Sequence, residues 1–362
     1  VTHLQPEDVH EGSPPTAHIV QCLAPGGLEV LALELARHLP GRHLLISLEG
    51  TVATLKANWP RIGEVALVGC EKSGGLEPGL VLRLARILRR AKVNCVMTHH
   101  IGPLIYGGLA ARLAGVGKVI HVEHDIWHYE TARRRQVAGL AMRLVRPQLV
   151  AISPQLVARL KLLFPARPVR LIENGVDLQR FSPMSRQIAR ENLGLSGKII
   201  GSAGRLELVK GHDVLLRAFA RMASVANLVI AGNGSQRGAL EALARELGIA
   251  DRVRFLGHTD SLAEIYPGFD VFCLSSRHEG LPLAVLEAQA CGVPVVASAV
   301  GGVAAALSPQ CSKTVPPEDP LALARALDQV LQNADPVDPR AFVAAHFDWA
   351  KCLSLYSQMI GA

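Results

Sequence analysis

DVFCLSSRHEGLPLAVLE, residues 270–287, joins a short apolar run, a polar loop and a second apolar segment. Asp270 to Ser275 has the length and side chains of a strand, and the segment that follows the loop has those of a helix. Pro282 suits a first helical turn, where its missing N–H costs nothing. The backbone from Gly280 through Leu281 and Pro282 to Leu283 then brings free amides to the carboxyl end of a strand, a place that suits anions and hydroxyls. Glu279 sits in the loop and Glu287 a little over one turn into the helix, so both carboxylates can face one ligand. Carboxylates accept sugar hydroxyls with defined geometry. On local spacing alone, the two acids also fit a capping acid and an exposed helix carboxylate.

The strand–turn–helix pattern repeats along the chain. Strands are expected at 17–23, 43–48, 65–69, 93–98, 118–123 and 149–153, then at 198–203, 226–231, 253–257, 270–275, 293–298 and 313–315, with helical patterns between them. A further extended run lies at 168–174. This alternation is the mark of parallel sheets in an α/β protein. It occurs twice, so two Rossmann-like domains facing a central cleft are expected. The expected boundaries are an N-terminal extension at 1–16 and a first domain at 17–180. A linker at 181–196, a second domain at 197–338 and a C-terminal helix at 339–362 that packs back across the domains complete the division.

Bulk properties agree with this reading. The chain has 362 residues, 49% of them hydrophobic and 19% charged, enough for two packed cores and unlike a disordered chain. No apolar run reaches membrane-spanning length. Val1 to Asp8 lacks a basic start and an apolar signal core, and the seven cysteines show no CxxC spacing, so a reducing cytoplasmic setting is expected. The first 150 residues hold 17 Lys and Arg against 12 Asp and Glu. Arg83, Arg86, Arg89, Arg90 and Lys92 recur at helical spacing, and Arg133, Arg134 and Arg135 cluster. Such faces suit an anionic membrane surface, although a solvated helix face fits each cluster equally well. No nucleic acid partner is expected.

Gly204-Arg205-Leu206 and Lys210-Gly211 follow the first strand of the second half. The glycine permits close backbone approach, and Arg205 and Lys210 put two cations at the mouth of a helix, where a diphosphate fits. Both cations also fit a solvated loop. The segment lacks the Gly-Lys-Ser/Thr ending of a P-loop. Gly232-Asn233-Gly234 and Gly26-Gly27 are further turns at strand carboxyl ends. His121 reads as a packed strand histidine, whereas His124 emerges at the strand end beside Asp125. The pair His99-His100 ends another strand and fits either an acceptor contact or loop filler. No metal site is expected from these histidines.

With these motifs in place, the chain resembles the retaining glycosyltransferases of the GT-B fold, family 4, also called glycosyl transferases group 1. The resemblance runs from Gly26-Gly27-Leu28-Glu29 through His124-Asp125, Asn174-Gly175-Val176-Asp177, Gly204-Arg205-Leu206, Lys210-Gly211 and Gly232-Asn233-Gly234. It ends with Glu279 to Glu287, spaced as the family's E-x7-E motif, and Val315-Pro316-Pro317-Glu318. It implies a nucleoside diphosphate sugar as donor, a glycan or lipid-linked acceptor and no separate cofactor. It also implies that Arg205 and Lys210 bind the diphosphate, Glu279 and the following amides the sugar, and Glu287 the ribose. Gly27 would let its loop approach the phosphates, and His124 would lie near the anomeric carbon. The family often has an acid three positions after the second glycine of Gly301-Gly302, where this chain has Ala305.

Two rival readings share the architecture. A sugar-nucleotide epimerase would need an acid and a base for proton abstraction, and a non-catalytic partner subunit would not need the set Arg205, Lys210, Glu279 and Glu287. A nicotinamide-dependent dehydrogenase lacks support, because no strand is followed by G-x-G-x-x-G with an acid about twenty residues on.

Overall fold

The computed structural model describes residues 15–63, 65–125, 129–194, 196–332 and 338–361. Two compact units emerge, one of residues 1–173 with 352–362 and one of residues 174–351.

The first unit holds a seven-stranded sheet of β1 (Thr16–Val20), β2 (His43–Ser47), β3 (Ala66–Gly69), β4 (Cys95–His99), β5 (Lys118–Glu123), β6 (Gln148–Ala151) and β7 (Val169–Leu171). Their order is β3-β2-β1-β4-β5-β6-β7, and every pairing is parallel. The extended run at 168–174 is therefore paired, as the edge strand β7. The second unit holds β8 (Ile199–Ala203), β9 (Asn227–Ala231), β10 (Val253–Gly257), β11 (Val271–Leu274), β12 (Val295–Ser298) and β13 (Lys313–Val315), ordered β10-β9-β8-β11-β12-β13 and again parallel. The central strands β1, β4 and β8 are buried along their whole length, which is why they read as unbroken apolar runs. In each sheet the strand order reverses direction once, between β1 and β4 and between β8 and β11. At such a point the loops leaving the two strands diverge and open a crevice at the carboxyl edge.

Helices cover the sheets by burying one stripe each. Pro78–Arg90 buries Leu80, Leu84, Ala85 and Leu88 and turns its arginines outward. Among the described residues no helix is long and apolar enough to cross a membrane, and all seven cysteines are free thiols.

Four features differ from the sequence-based expectation. Residues 181–196 do not form a bridge between domains. Helix Arg186–Leu193 belongs to the second unit, where Arg186 and Arg190 both grip Asp270 ahead of β11. Pro282 is the N-cap of helix Leu283–Ala290 and not part of its first turn, because its ψ of 110° is extended. The C-terminal stretch forms two helices, Arg340–His346 and Trp349–Ile360. Cys352 onward joins the first unit, where Lys118 Nζ donates to the Ile360 carbonyl at 3.0 Å. Of the expected N-terminal extension at 1–16, residues 1–14 lie outside the described residues, and Thr16 already opens β1.

Candidate functional site

At the switch point of the second sheet, the loops leaving β8 and β11 meet. Lys210 Nζ lies 2.6 Å from Glu279 Oε1, and the same oxygen accepts a 2.6 Å hydrogen bond from Ser276 Oγ. The Glu279 side chain is only 9% exposed, so its oxygens find their hydrogen-bond partners within the protein. The loops are tied together elsewhere as well. Arg277 N donates to the Val209 carbonyl, and Ser275 Oγ donates to that of Lys210. The Arg277 guanidinium clasps both oxygens of Asp213, at 2.8 and 2.9 Å, and also reaches Glu318. That hydrogen bond holds the Asp213 carboxyl below its ordinary range. Gly211 completes the turn at φ 62°, and a Cβ there would sit 2.1 Å from the Ser275 carbonyl oxygen, so only glycine allows the approach.

The β8 loop rests on the β9 turn. Gly204 N donates to the Ala231 carbonyl and Leu206 N to that of Asn233. A Cβ on Gly232 would lie 1.9 Å from the Gly204 oxygen, and one on Gly234 2.5 Å from that of Leu206. The Asn233 side chain accepts from Gly234 N and stabilises its own turn. Arg205 is exposed, and among the described residues its guanidinium makes no hydrogen bond. Helix Leu283–Ala290 starts beside Glu279 without a side-chain cap, so its first amides are open to an incoming acceptor group. One turn on, Glu287 Oε2 accepts from Tyr266 OH at 3.0 Å. Two cations, open amides and two oriented carboxylates thus share the carboxyl edge of one sheet, a set able to hold a phosphorylated, hydroxyl-rich ligand.

In the first unit, Gly26 and Gly27 form the N-cap and first residue of helix Gly27–His38 after β1, and a Cβ on Gly26 would strike Glu29 Oε2 at 2.4 Å. His124 follows β5 and is 7% exposed, with Nε2 3.2 Å from His99 Nδ1. Burial pushes His124 down to about 4. His121 is buried as expected, bonded to Thr98 and, at 3.3 Å, to Glu123. Among the described residues no three His, Cys, Asp or Glu side chains gather as metal ligands would.

Residues 25–180 match Glycosyltransferase Family 4 and residues 184–342 match Glycosyl transferases group 1. A D-inositol 3-phosphate glycosyltransferase from Salinispora arenicola is 30% identical over 396 residues, spanning 93% of this chain and 87% of that protein. The chain belongs to the group 1, family 4 glycosyltransferases. A D-inositol 3-phosphate glycosyltransferase from Mycolicibacterium gilvum is 41% identical over 194 residues, a match that spans 50% of this chain and less than half, 44%, of that relative. Anabaena HepE, crystallised with UDP-glucose, shares the fold at a TM-score of 0.82 and 20% identity, over 96% of this chain and 99% of HepE.

In this family 4 chain, Arg205, Lys210, Glu279 and the three glycine turns of the second unit lie on the loops where the sequence puts them, and Glu287 lies inside helix Leu283–Ala290. Gly26, Gly27 and His124 lie on the first unit. Sequence reasoning missed Ser276, Arg277 and Tyr266, which hold the charged groups in place, because each pairing joins residues at least three and mostly more than twenty positions apart. It also missed the role of Gly301, whose Cβ, at φ 52°, would sit 1.8 Å from the Glu279 carbonyl oxygen. Gly301→Ala is expected to displace the Glu279 loop and to lower stability by on the order of 2 kcal/mol, with a larger loss in nucleotide binding. Thermal melting and calorimetric titration check this, and an unchanged variant would contradict it.

Proposed function

We propose that the chain transfers a sugar, with retention of anomeric configuration, from a nucleoside diphosphate sugar to a glycan or lipid-linked acceptor. The observation that carries this reading is the Lys210–Glu279 pair, 2.6 Å apart at the switch point, with Arg205 on the same loop as Lys210 and an uncapped helix end after Glu279. Lys210, Arg205 and the helix amides stabilise charge that develops on the departing diphosphate, so the glycosidic bond breaks without a strong acid. Glu279 and the amides after it orient the sugar, Glu287 the ribose, and Gly27 admits the phosphates. His124 contacts the transferred sugar. The departing phosphate oxygen takes the acceptor's proton on the same face, which gives retention and needs neither a second carboxylate base nor a cofactor. A donor panel assayed for nucleoside diphosphate release, with product configuration read by NMR, tests this. Inverted product would overturn the retaining step, and proton exchange at the sugar without release would favour the epimerase reading.

Relatives named as D-inositol 3-phosphate glycosyltransferases favour a second acceptor, a phosphorylated cyclitol. Assaying it beside a lipid-linked glycan separates the two. The placing of this activity in cell-surface glycan assembly rests on exposed cations of the first unit. Arg133, Arg134 and Arg143 flank the outward Val137, Leu140 and Leu144 on helix Ala132–Val145, and an anionic inner leaflet suits that face. Cosedimentation should occur with phosphatidylglycerol vesicles, weaken with salt and fail with phosphatidylcholine alone; equal binding to both lipids would contradict a charge-driven contact.

A further inference from the structure

Four imidazoles climb one face of the first sheet. His43 pairs in register with Thr16, His18 with Met97, and His99 with Val122. His18, His99 and His124 each stand two residues beyond those partners. Because side chains alternate along a strand, every step crosses one strand, rises two residues and stays on the same face. The series starts at the first residue of β2 and ends at His124, past the carboxyl end of β5. His18 Nε2 lies 3.0 Å from His43 Nδ1, the rings of His18 and His99 stack at 5.9 Å, and His99 Nδ1 lies 3.2 Å from His124 Nε2. His18 and His99 are fully buried.

The protons can be placed. His43 Nε2 faces the Pro40 carbonyl at 3.3 Å, which only accepts, so Nε2 carries the hydrogen and His43 Nδ1 is a lone pair. His18 Nε2–H therefore donates to it, and His18 Nδ1 must be bare. It is bare in the structure too, a buried nitrogen with no partner. An orphaned buried lone pair is tolerated more readily than an orphaned N–H. His99 Nε2 is likewise buried and unpartnered. By the same rule its hydrogen sits on Nδ1 and is donated to His124 Nε2, which leaves the hydrogen of His124 on Nδ1.

We infer that His99 is a positioning residue that fixes His124 as an Nδ1–H donor aimed at an oxygen of the transferred sugar. The inference rests on the contact assigned to His124 above, and adds its polarity: His124 gives a hydrogen bond and does not take a proton. Burial keeps His18, His99 and His124 uncharged, with His99 held well below the usual imidazole range, His18 at about 3 and His124 at about 4.

Full-length protein labelled with ¹⁵N-histidine tests this. His124, assigned with His124→Ala, should show the Nδ1–H tautomer from pH 6 to 8, and His99→Phe, which keeps the ring volume, should release it to the Nε2–H form. Turnover of His99→Phe should fall about tenfold with little change in donor KM. His99→Asn, whose amide can replace the Nδ1–H, should retain most of it. On a His124→Ala background, His99→Phe should cost nothing more, because the two act as a unit. An Nε2–H tautomer in the wild type, or independent losses that multiply in the double variant, would overturn the inference. Wild-type activity in His124→Ala would instead overturn the contact assigned to His124, and the tautomer of the wild type would still decide whether His99 orients it.

Discussion

Lys210→Ala is expected to lower kcat by about 10²- to 10³-fold, the range seen when one preorganised donor to a developing anion is removed. Two effects combine. The departing diphosphate loses a cation, and Glu279, whose side chain is 9% exposed, loses the ammonium 2.6 Å from its Oε1 and, among the described residues, keeps only the Ser276 hydroxyl as a hydrogen-bond donor. Glu279→Gln separates them, since it retains a neutral acceptor for Ser276 and leaves Lys210 free to meet phosphate. Its loss should fall mainly on sugar orientation, with nucleoside diphosphate affinity kept, whereas Lys210→Ala should weaken that affinity too. Folding should be little affected by Lys210→Ala, at a cost on the order of 1 kcal/mol, because the lysine itself is partly exposed. Steady-state kinetics with calorimetric nucleotide titration checks the pattern. Equal effects of both variants on nucleotide affinity would contradict the division of roles.

Acid should unfold the first unit well before carboxylates titrate. His18 is held at about 3, His124 at about 4 and His99 well below its ordinary value, in each case chiefly by burial. In the unfolded chain the same rings take up protons near pH 6.5. Between that value and the folded ones the unfolded state binds more protons, so stability rises with pH and is lost as pH falls. At pH 5 each of His18 and His124 that stays neutral costs about 2 kcal/mol, or roughly 4 kcal/mol together, against a typical total of about 5–15 kcal/mol, and His99 acts in the same direction. His212, held at about 4 by burial and then by the charge of Lys210, adds one such ring to the second unit, so the first unit should be the more acid-sensitive. Urea unfolding at pH 8, 7, 6 and 5 measures this, with His18→Phe expected to flatten the slope. A profile level from pH 7 to pH 5 would contradict the buried, uncharged state of the series.

The alternation of apolar runs and helical patterns made both sheets legible, because buried parallel strands leave a continuous apolar signature that neighbouring loops do not blur. The cations and acids of the second unit were legible for a related reason: Gly204, Gly211, Gly232 and Gly234 mark turns where backbone meets backbone, and Arg205, Lys210 and Glu279 sit on the loops beside them. The partners of those charges were not. Nothing in the order of residues ties Arg277 to Asp213, or Tyr266 to Glu287, since each contact depends on how two loops or helices dock. Pro282 misled by one position, because proline fits an N-cap with extended ψ as readily as a first helical turn. Arg186 and Arg190 read as a polar linker until their shared partner, Asp270, is seen. The histidine series is a matter of register: His18, His43, His99 and His124 are unremarkable in sequence, and only the pairing of β2, β1, β4 and β5 aligns them.

Calorimetric titration of the full chain with UDP, GDP, ADP and dTDP bears most directly on the charged site of the second unit. At least one of the four should bind, and its affinity should drop by about tenfold or more in Lys210→Ala and in Arg205→Ala. Binding of none, or binding that both variants leave intact, would contradict a diphosphate held by these two cations.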